Sequence, residues 1–154
     1  MADQKTSKAR CFLFTGGGTG GHVAPALAIA EELRQRHPGA RFHYVGVAGK
    51  AEATMVPRAW KLKAEGGQDQ LHFVRSQGFP GKSPRIVVFA LVLLVGVLKA
   101  VRILLQHRPQ LVVATGGYVS APIVFAVALL RKLKLYNPVV FIHEQNAAPG
   151  RMNQ

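Results

Sequence analysis

Residues 11 to 36 read CFLFTGGGTGGHVAPALAIAEELRQR. The FLF core has the length and character of a short buried strand, and it runs directly into GGGTGGH at 16 to 22. From Val23 to Arg36 apolar residues return at helical spacing, with Leu27, Ala30 and Leu33 on one face. Pro25 is expected in the first turn of that helix, where a missing N–H goes unneeded. Strand, glycine loop and helix in this order open a βαβ unit.

Reading outward, FHYVGV at 42 to 47 predicts a second strand, and residues 51 to 59 a short helix carrying Glu52 and broken at Pro57. A further strand is expected at Leu71 to Val74, and GFPGKSP at 78 to 84 is a loop by its glycines and prolines. A strongly apolar helix runs from Arg85 to about His107, closed by Pro109. LVVA at 111 to 114 is another apolar strand that enters a glycine loop, TGGYVSAP, with a helix from Ile123 to about Lys134. VVFI at 139 to 142 is a last strand, ending in HEQNAAPG. Apolar strands alternating with helices predict a parallel α/β sheet covered on both faces.

Composition narrows the functional classes. With 154 residues, 49% of them hydrophobic and 18% charged, the chain suits one packed domain and excludes wholesale disorder. The single Cys11 excludes a disulfide framework. Twenty Lys and Arg against seven Asp and Glu give a formal +13, which attracts polyanions. Residues 71 to 154 hold ten basic side chains and one acid, Glu144, and they also hold the greasiest segment. A basic, aliphatic face without aromatic stacking platforms fits an anionic membrane surface better than nucleic acid. MADQKTSKAR has no secretory character, so a cytoplasmic start is expected. The uncharged run Ile86 to Leu98 is about 20 Å long as a helix, short of the roughly 30 Å hydrocarbon core. A buried or interfacial helix is favoured, and continuation to Leu105 would allow a span with Lys99 and Arg102 near one end.

In an open parallel sheet, ligands sit beyond the carboxyl ends of the strands, at the point where strand order reverses. Three segments converge on that edge: Gly16 to His22, Gly116 to Ser120, and His143 to Asn146. The first formally matches GxGxxG, yet no acid follows the second strand in time, since Glu52 comes too late, and His22 stands where a P-loop needs lysine. The physics that remains is an anion cradle of backbone N–H groups, set against a tight turn that needs glycine only for its dihedrals. His22 is a candidate general base at that helix start, with capping or solvation as its plain alternative. Glu144 could orient a sugar hydroxyl or hold His22 in one tautomer, or simply pair with an arginine. Histidines 37, 43, 72, 107 and 143 lack metal-ligand spacing and are read as structural, so no metal site and no cofactor are expected.

Taken together, GGGTGGHVAPALAIAEEL, AEATMVP, GFPGKS, ATGGYVSAP and HEQNAAPGRMNQ resemble, in order and spacing, the amino-terminal half of the MurG family. The resemblance covers roughly Phe12 to Gln154, leaving residues 1 to 11 as a polar tail. It implies a Rossmann-like domain from a GT-B glycosyltransferase, metal-independent and inverting. Such an enzyme transfers N-acetylglucosamine from UDP-GlcNAc to the C4 hydroxyl of lipid I, forming lipid II for peptidoglycan at the cytoplasmic face of the cell membrane. Carried over by motif, Thr19, Gly20, Gly21 and Asn146 would contact the donor, and His22 would be the base. Tyr118 and Glu144 match positions tied to the acceptor or to catalysis, and Gly117 and Ser120 of the same loop are grouped as substrate-binding. Ala121 stands where the family has glycine, and KLKLYNP at 132 to 138 is longer and more basic than the usual turn.

The sequence ends at Gln154, before the donor domain of that family, so this chain alone is expected to be inactive. A truncation, a split enzyme with a separate donor-domain chain, and a module without chemistry are the three explanations. The alternative function is a non-catalytic membrane-associated subunit that recruits a donor-binding chain, and a third reading is a dinucleotide-binding domain.

Overall fold

A computed structural model describes residues 9–61, 69–81 and 84–144. Five strands, β1 (Cys11–Thr15), β2 (Arg41–Gly46), β3 (Gln70–Phe73), β4 (Leu111–Ala114) and β5 (Val139–Ile142), alternate with four helices, α1 (Gly20–Arg36), α2 (Ala51–Trp60), α3 (Ile86–His107) and α4 (Ser120–Lys132). All strand pairs are parallel, in the order β3-β2-β1-β4-β5. The chain leaves β1 toward β2 on one side and leaves β4 toward β5 on the other. The strand order therefore reverses between β1 and β4, which is the switch point of the sheet.

Two-residue periodicity divides the core. Phe12, Phe14, Phe42, Tyr44 and Val113 face α1 and α2, joined by Val23, Ala26, Ala30 and Val56. Leu13, Val45 and Val112 face the other way, onto Ala100, Ile103 and Leu104 of α3 and Ile123, Ala126 and Leu130 of α4. A Cβ at Gly96 would overlap the Arg75 carbonyl and lie 3.1 Å from Pro122 Cγ, so glycine lets α3 seat closely here. Cys11 is buried within this framework, and burial raises its thiol pKa.

Several boundaries differ from the sequence expectations, each for a local reason. Helix α1 starts at Gly20, with extended Thr19 before it, so Pro25 falls in the second turn. Helix α2 passes through Pro57 and stops at Trp60, where Lys61 turns left-handed at φ 48°. Helix α4 starts three residues early at Ser120, which leaves Pro122 in its first turn, where no intrahelical N–H partner is required. Strand β3 lies one residue earlier than expected, at Gln70–Phe73.

Helix α3 has two halves. Gly96, Ala100, Ile103 and Leu104 are buried, whereas Ile86, Val87, Val88, Leu91, Leu94, Val95 and Leu98 are exposed. The helix is long and apolar enough to cross a membrane, at about 33 Å, but its second half is packed on the domain.

Candidate functional site

Where β1 and β4 end, their glycine loops lie backbone against backbone. Gly17 N–H donates to Gly116 O at 3.3 Å, and a Cβ on Gly117 would overlap the Gly17 carbonyl. Gly116 and Gly117 both hold positive φ, 96° and 78°, which favours glycine independently of the crowding. A Cβ on Gly16 would overlap Thr115 Oγ1. The two loops cannot approach this closely with side chains between them.

The first loop is fixed from below by Glu52. Its side chain is fully buried at the start of α2, where Oε2 accepts the Gly18 N–H at 3.0 Å and Oε1 accepts the Val47 N–H at 2.9 Å. Two amide donors and the positive end of a helix hold this carboxylate away from water. Gly17 and Gly46 make room for it, since a Cβ at either would overlap Glu52. Tyr44 adds a second strut, its hydroxyl donating to Gly16 O at 2.7 Å, and burial followed by the Glu52 charge raises that phenol's pKa. The signal for Glu52 was present in AEATMVP, but only the fold reveals that its carboxylate belongs to the glycine loop and not to a ribose.

A cleft of about 460 Å³ opens over the paired loops, lined by Gly17, Gly18, Thr19 and His22 from the β1 side, Gly117, Tyr118 and Val119 from the β4 side, and Val47, Lys50, Ser76, Gln77 and Gly78 around the rim. Of the expected site residues, Thr19, His22, Gly117 and Tyr118 meet here. His22 is half-buried in the first turn of α1, its Nδ1 3.1 Å from Thr19 Oγ1. Its ring lies over Gly116, where a Cβ would come within 2.8 Å of Cδ2. The His22 carbonyl accepts Thr115 Oγ1 at 2.6 Å, so the β4 loop also fixes the helix that carries the imidazole. Gly20 and Gly21 form the first residues of α1. The Gly17 and Gly18 amides are engaged internally, so the loop as a whole is not a cradle of free N–H donors.

Tyr118 is exposed, its carbonyl accepting Ser76 Oγ at 2.5 Å and its ring packed near Gly78. Lys50, Ser76 and Gln77 complete the rim without having stood out in the sequence. Ser120 is different: it is 2% exposed and donates to Gly116 O at 2.9 Å, with Thr15 O at 3.4 Å. It supports the loop from beneath and does not line the cleft. Glu144 is half-buried just past β5 and is not a lining residue, while Asn146 lies outside the described residues, as does the rest of HEQNAAPG beyond Glu144.

Three of the histidines read as structural lie together in space. His43 of β2, His72 of β3 and His107 at the end of α3 come together beneath the α3 face, with ring centroids 4.0 to 5.3 Å apart. Spacing along the chain did not reveal them because each comes from a different element.

A parallel α/β domain with paired glycine loops under a cleft at its switch point is of the doubly wound, ligand-binding class. The chain belongs to glycosyltransferase family 28, whose N-terminal domain it matches over residues 12–154. A relative from Desulforudis audaxviator (strain MP104C), named UDP-N-acetylglucosamine--N-acetylmuramyl-(pentapeptide) pyrophosphoryl-undecaprenol N-acetylglucosamine transferase, is 41% identical over 92% of this chain. One of the same name from Desulfotalea psychrophila is 38% identical over 97%. The chain spans 35% and 37% of the lengths of these two. The crystal structure of Acinetobacter baumannii MurG matches with a TM-score of 0.71 at 28% identity, covering 94% of this chain and 38% of that one. A UDP-bound transferase from Siraitia grosvenorii shares the fold at TM-score 0.50 and 14% identity. The fold is thus the amino-terminal half of a GT-B glycosyltransferase, as the five motifs implied.

Proposed function

We propose that this chain is the acceptor-side half of a transferase that moves N-acetylglucosamine from UDP-GlcNAc to lipid I. The reading is carried by one observation: the His22 ring is held over Gly116 at the meeting of the two glycine loops, facing a cleft large enough for a sugar. The names of the relatives supply the chemistry.

His22 acts as the general base. In the tautomer that donates Nδ1–H to Thr19 Oγ1, the imidazole keeps Nε2 as proton acceptor. The acceptor hydroxyl gives its proton to Nε2 while its oxygen lone pair attacks the anomeric carbon. The bond to the UDP oxygen breaks, inverting the centre, and the diphosphate leaves with the electron pair. The α1 N-terminus and Lys50 favour negative charge at the cleft. Glu144 and Asn146 belong to the same reaction by motif, Glu144 as a positioning or catalytic acid and Asn146 on the donor. The donor domain comes from another part of the protein or from a separate chain, because half a cleft cannot orient both substrates.

The exposed apolar half of α3 supports peripheral attachment to the cytoplasmic face of the membrane. Exposed Arg75, Arg85, Lys99 and Arg102 border it and suit anionic lipid. The same surface supports the second reading, a membrane subunit that recruits a donor-binding chain without performing chemistry. Transfer of labelled GlcNAc to lipid I, measured with this chain alone and with a donor half added, separates the two: product on addition, lost in His22→Ala, is expected for the first, and no product in any combination overturns it.

A further inference from the structure

We propose that His43, His72 and His107 form a binding site for a divalent transition cation of the zinc class, at a place in the fold separate from the cleft. The inference does not rest on the transferase reading. None of the three lines the cleft, and they converge between the α3 terminus and the β2–β3 pair.

The geometry comes from the fold. Strands β2 and β3 pair with His43 opposite Gln70 and Val45 opposite His72, so the two histidines sit two residues out of register on adjacent strands. His43 Nδ1 and His72 Nε2 are 3.1 Å apart, and His107 closes the group from the last turn of α3. One ring nitrogen from each lies within 4.8 Å of the others. Tetrahedral zinc with Zn–N bonds of about 2.0–2.1 Å spaces its nitrogens by about 3.3 Å, so one pair already fits and the third closes by a small side-chain rotation.

A second observation points the same way. His43 is 1% exposed, and its Nε2 is buried with no hydrogen-bond partner. Two facing imidazoles share only one proton, and a third ring beside them adds no acceptor that satisfies all the nitrogens. That leaves buried nitrogens short of partners, and a cation that takes one lone pair from each of three neutral rings relieves the shortage in part.

The test is titration of the metal-stripped chain with Zn²⁺ by calorimetry and with Co²⁺ by visible absorption. One equivalent of Zn²⁺ is expected, with a Co²⁺ d–d band of low-symmetry, four-coordinate character, and with thermal stability raised by zinc. His72→Gln and His107→Gln should each weaken binding at least as much as loss of an outer partner does, about 10–100-fold, while His37→Gln leaves it unchanged. Circular dichroism verifies that the variants fold. Binding that survives in the His72→Gln, His107→Gln pair overturns the proposal. So does a wild-type protein that gives no Co²⁺ band, a result that needs no variant to fold.

Discussion

The Glu52 carboxylate accepts the backbone N–H of Gly18 at 3.0 Å, across 34 residues of chain. Through this contact a buried acid in one helix sets the shape of the loop that begins another. Glu52→Leu leaves the Gly18 and Val47 amides unpaired inside the protein, and each such group costs about 1–3 kcal/mol. A fall in stability of that order is expected in urea denaturation. Glu52→Gln keeps the shape and one acceptor but in either orientation turns its NH2 toward one of the two amide donors, so it should lose less than Glu52→Leu.

The glycines around the switch point should differ in a ranked way. Gly117→Ala meets both positive φ and the Gly17 carbonyl, so it should be the most destabilising. Gly18→Ala has positive φ in open space and should cost about 1 kcal/mol. Gly39→Ala meets nothing and has no positive φ, so its melting temperature should be close to the parent's. Equal effects at Gly117 and Gly39 would contradict the close loop packing.

Substituting the proposed base, His22, should affect rate more than binding. In the complemented transferase, His22→Ala is expected to lower kcat by about 10²–10⁴-fold with little change in KM. Thr19→Val removes the partner of Nδ1 and should lower kcat by a smaller factor, because the imidazole loses its orienting contact. A His22→Ala enzyme with undiminished kcat would remove the histidine from the chemistry.

Leu91 and Leu94 are 58% and 54% exposed on the unpacked half of α3. Replacing both with Glu should leave the fold intact while abolishing sedimentation with anionic vesicles, since each apolar side chain buried in lipid contributes about 1.5–3 kcal/mol. Unchanged vesicle binding would locate membrane attachment elsewhere.

The parts legible in the sequence are those with local physics. FLF into GGGTGGH specifies a strand, a close turn and a helix because glycine's freedom and strand hydrophobicity act within a few residues. The same holds for LVVA into TGGYVSAP, and the two loops were rightly expected at one edge. Element ends were read less well: Ser120 to Pro122 look like loop but form the first turn of α4, since neither serine nor proline is disfavoured there. What the sequence hid was long-range pairing. Glu52 looked like a misplaced ribose acid, Ser120 like a substrate contact, and His43, His72 and His107 like unrelated residues, because only the strand order β3-β2-β1-β4-β5 and the crossing of α3 decide which side chains meet.

The most direct measurement is transfer of GlcNAc from UDP-GlcNAc to lipid I by this chain, without and with an added donor domain. Product that forms only on addition and disappears with His22→Ala is the expected result. No transfer from the complemented chain, under conditions in which a full-length relative is active, would contradict it.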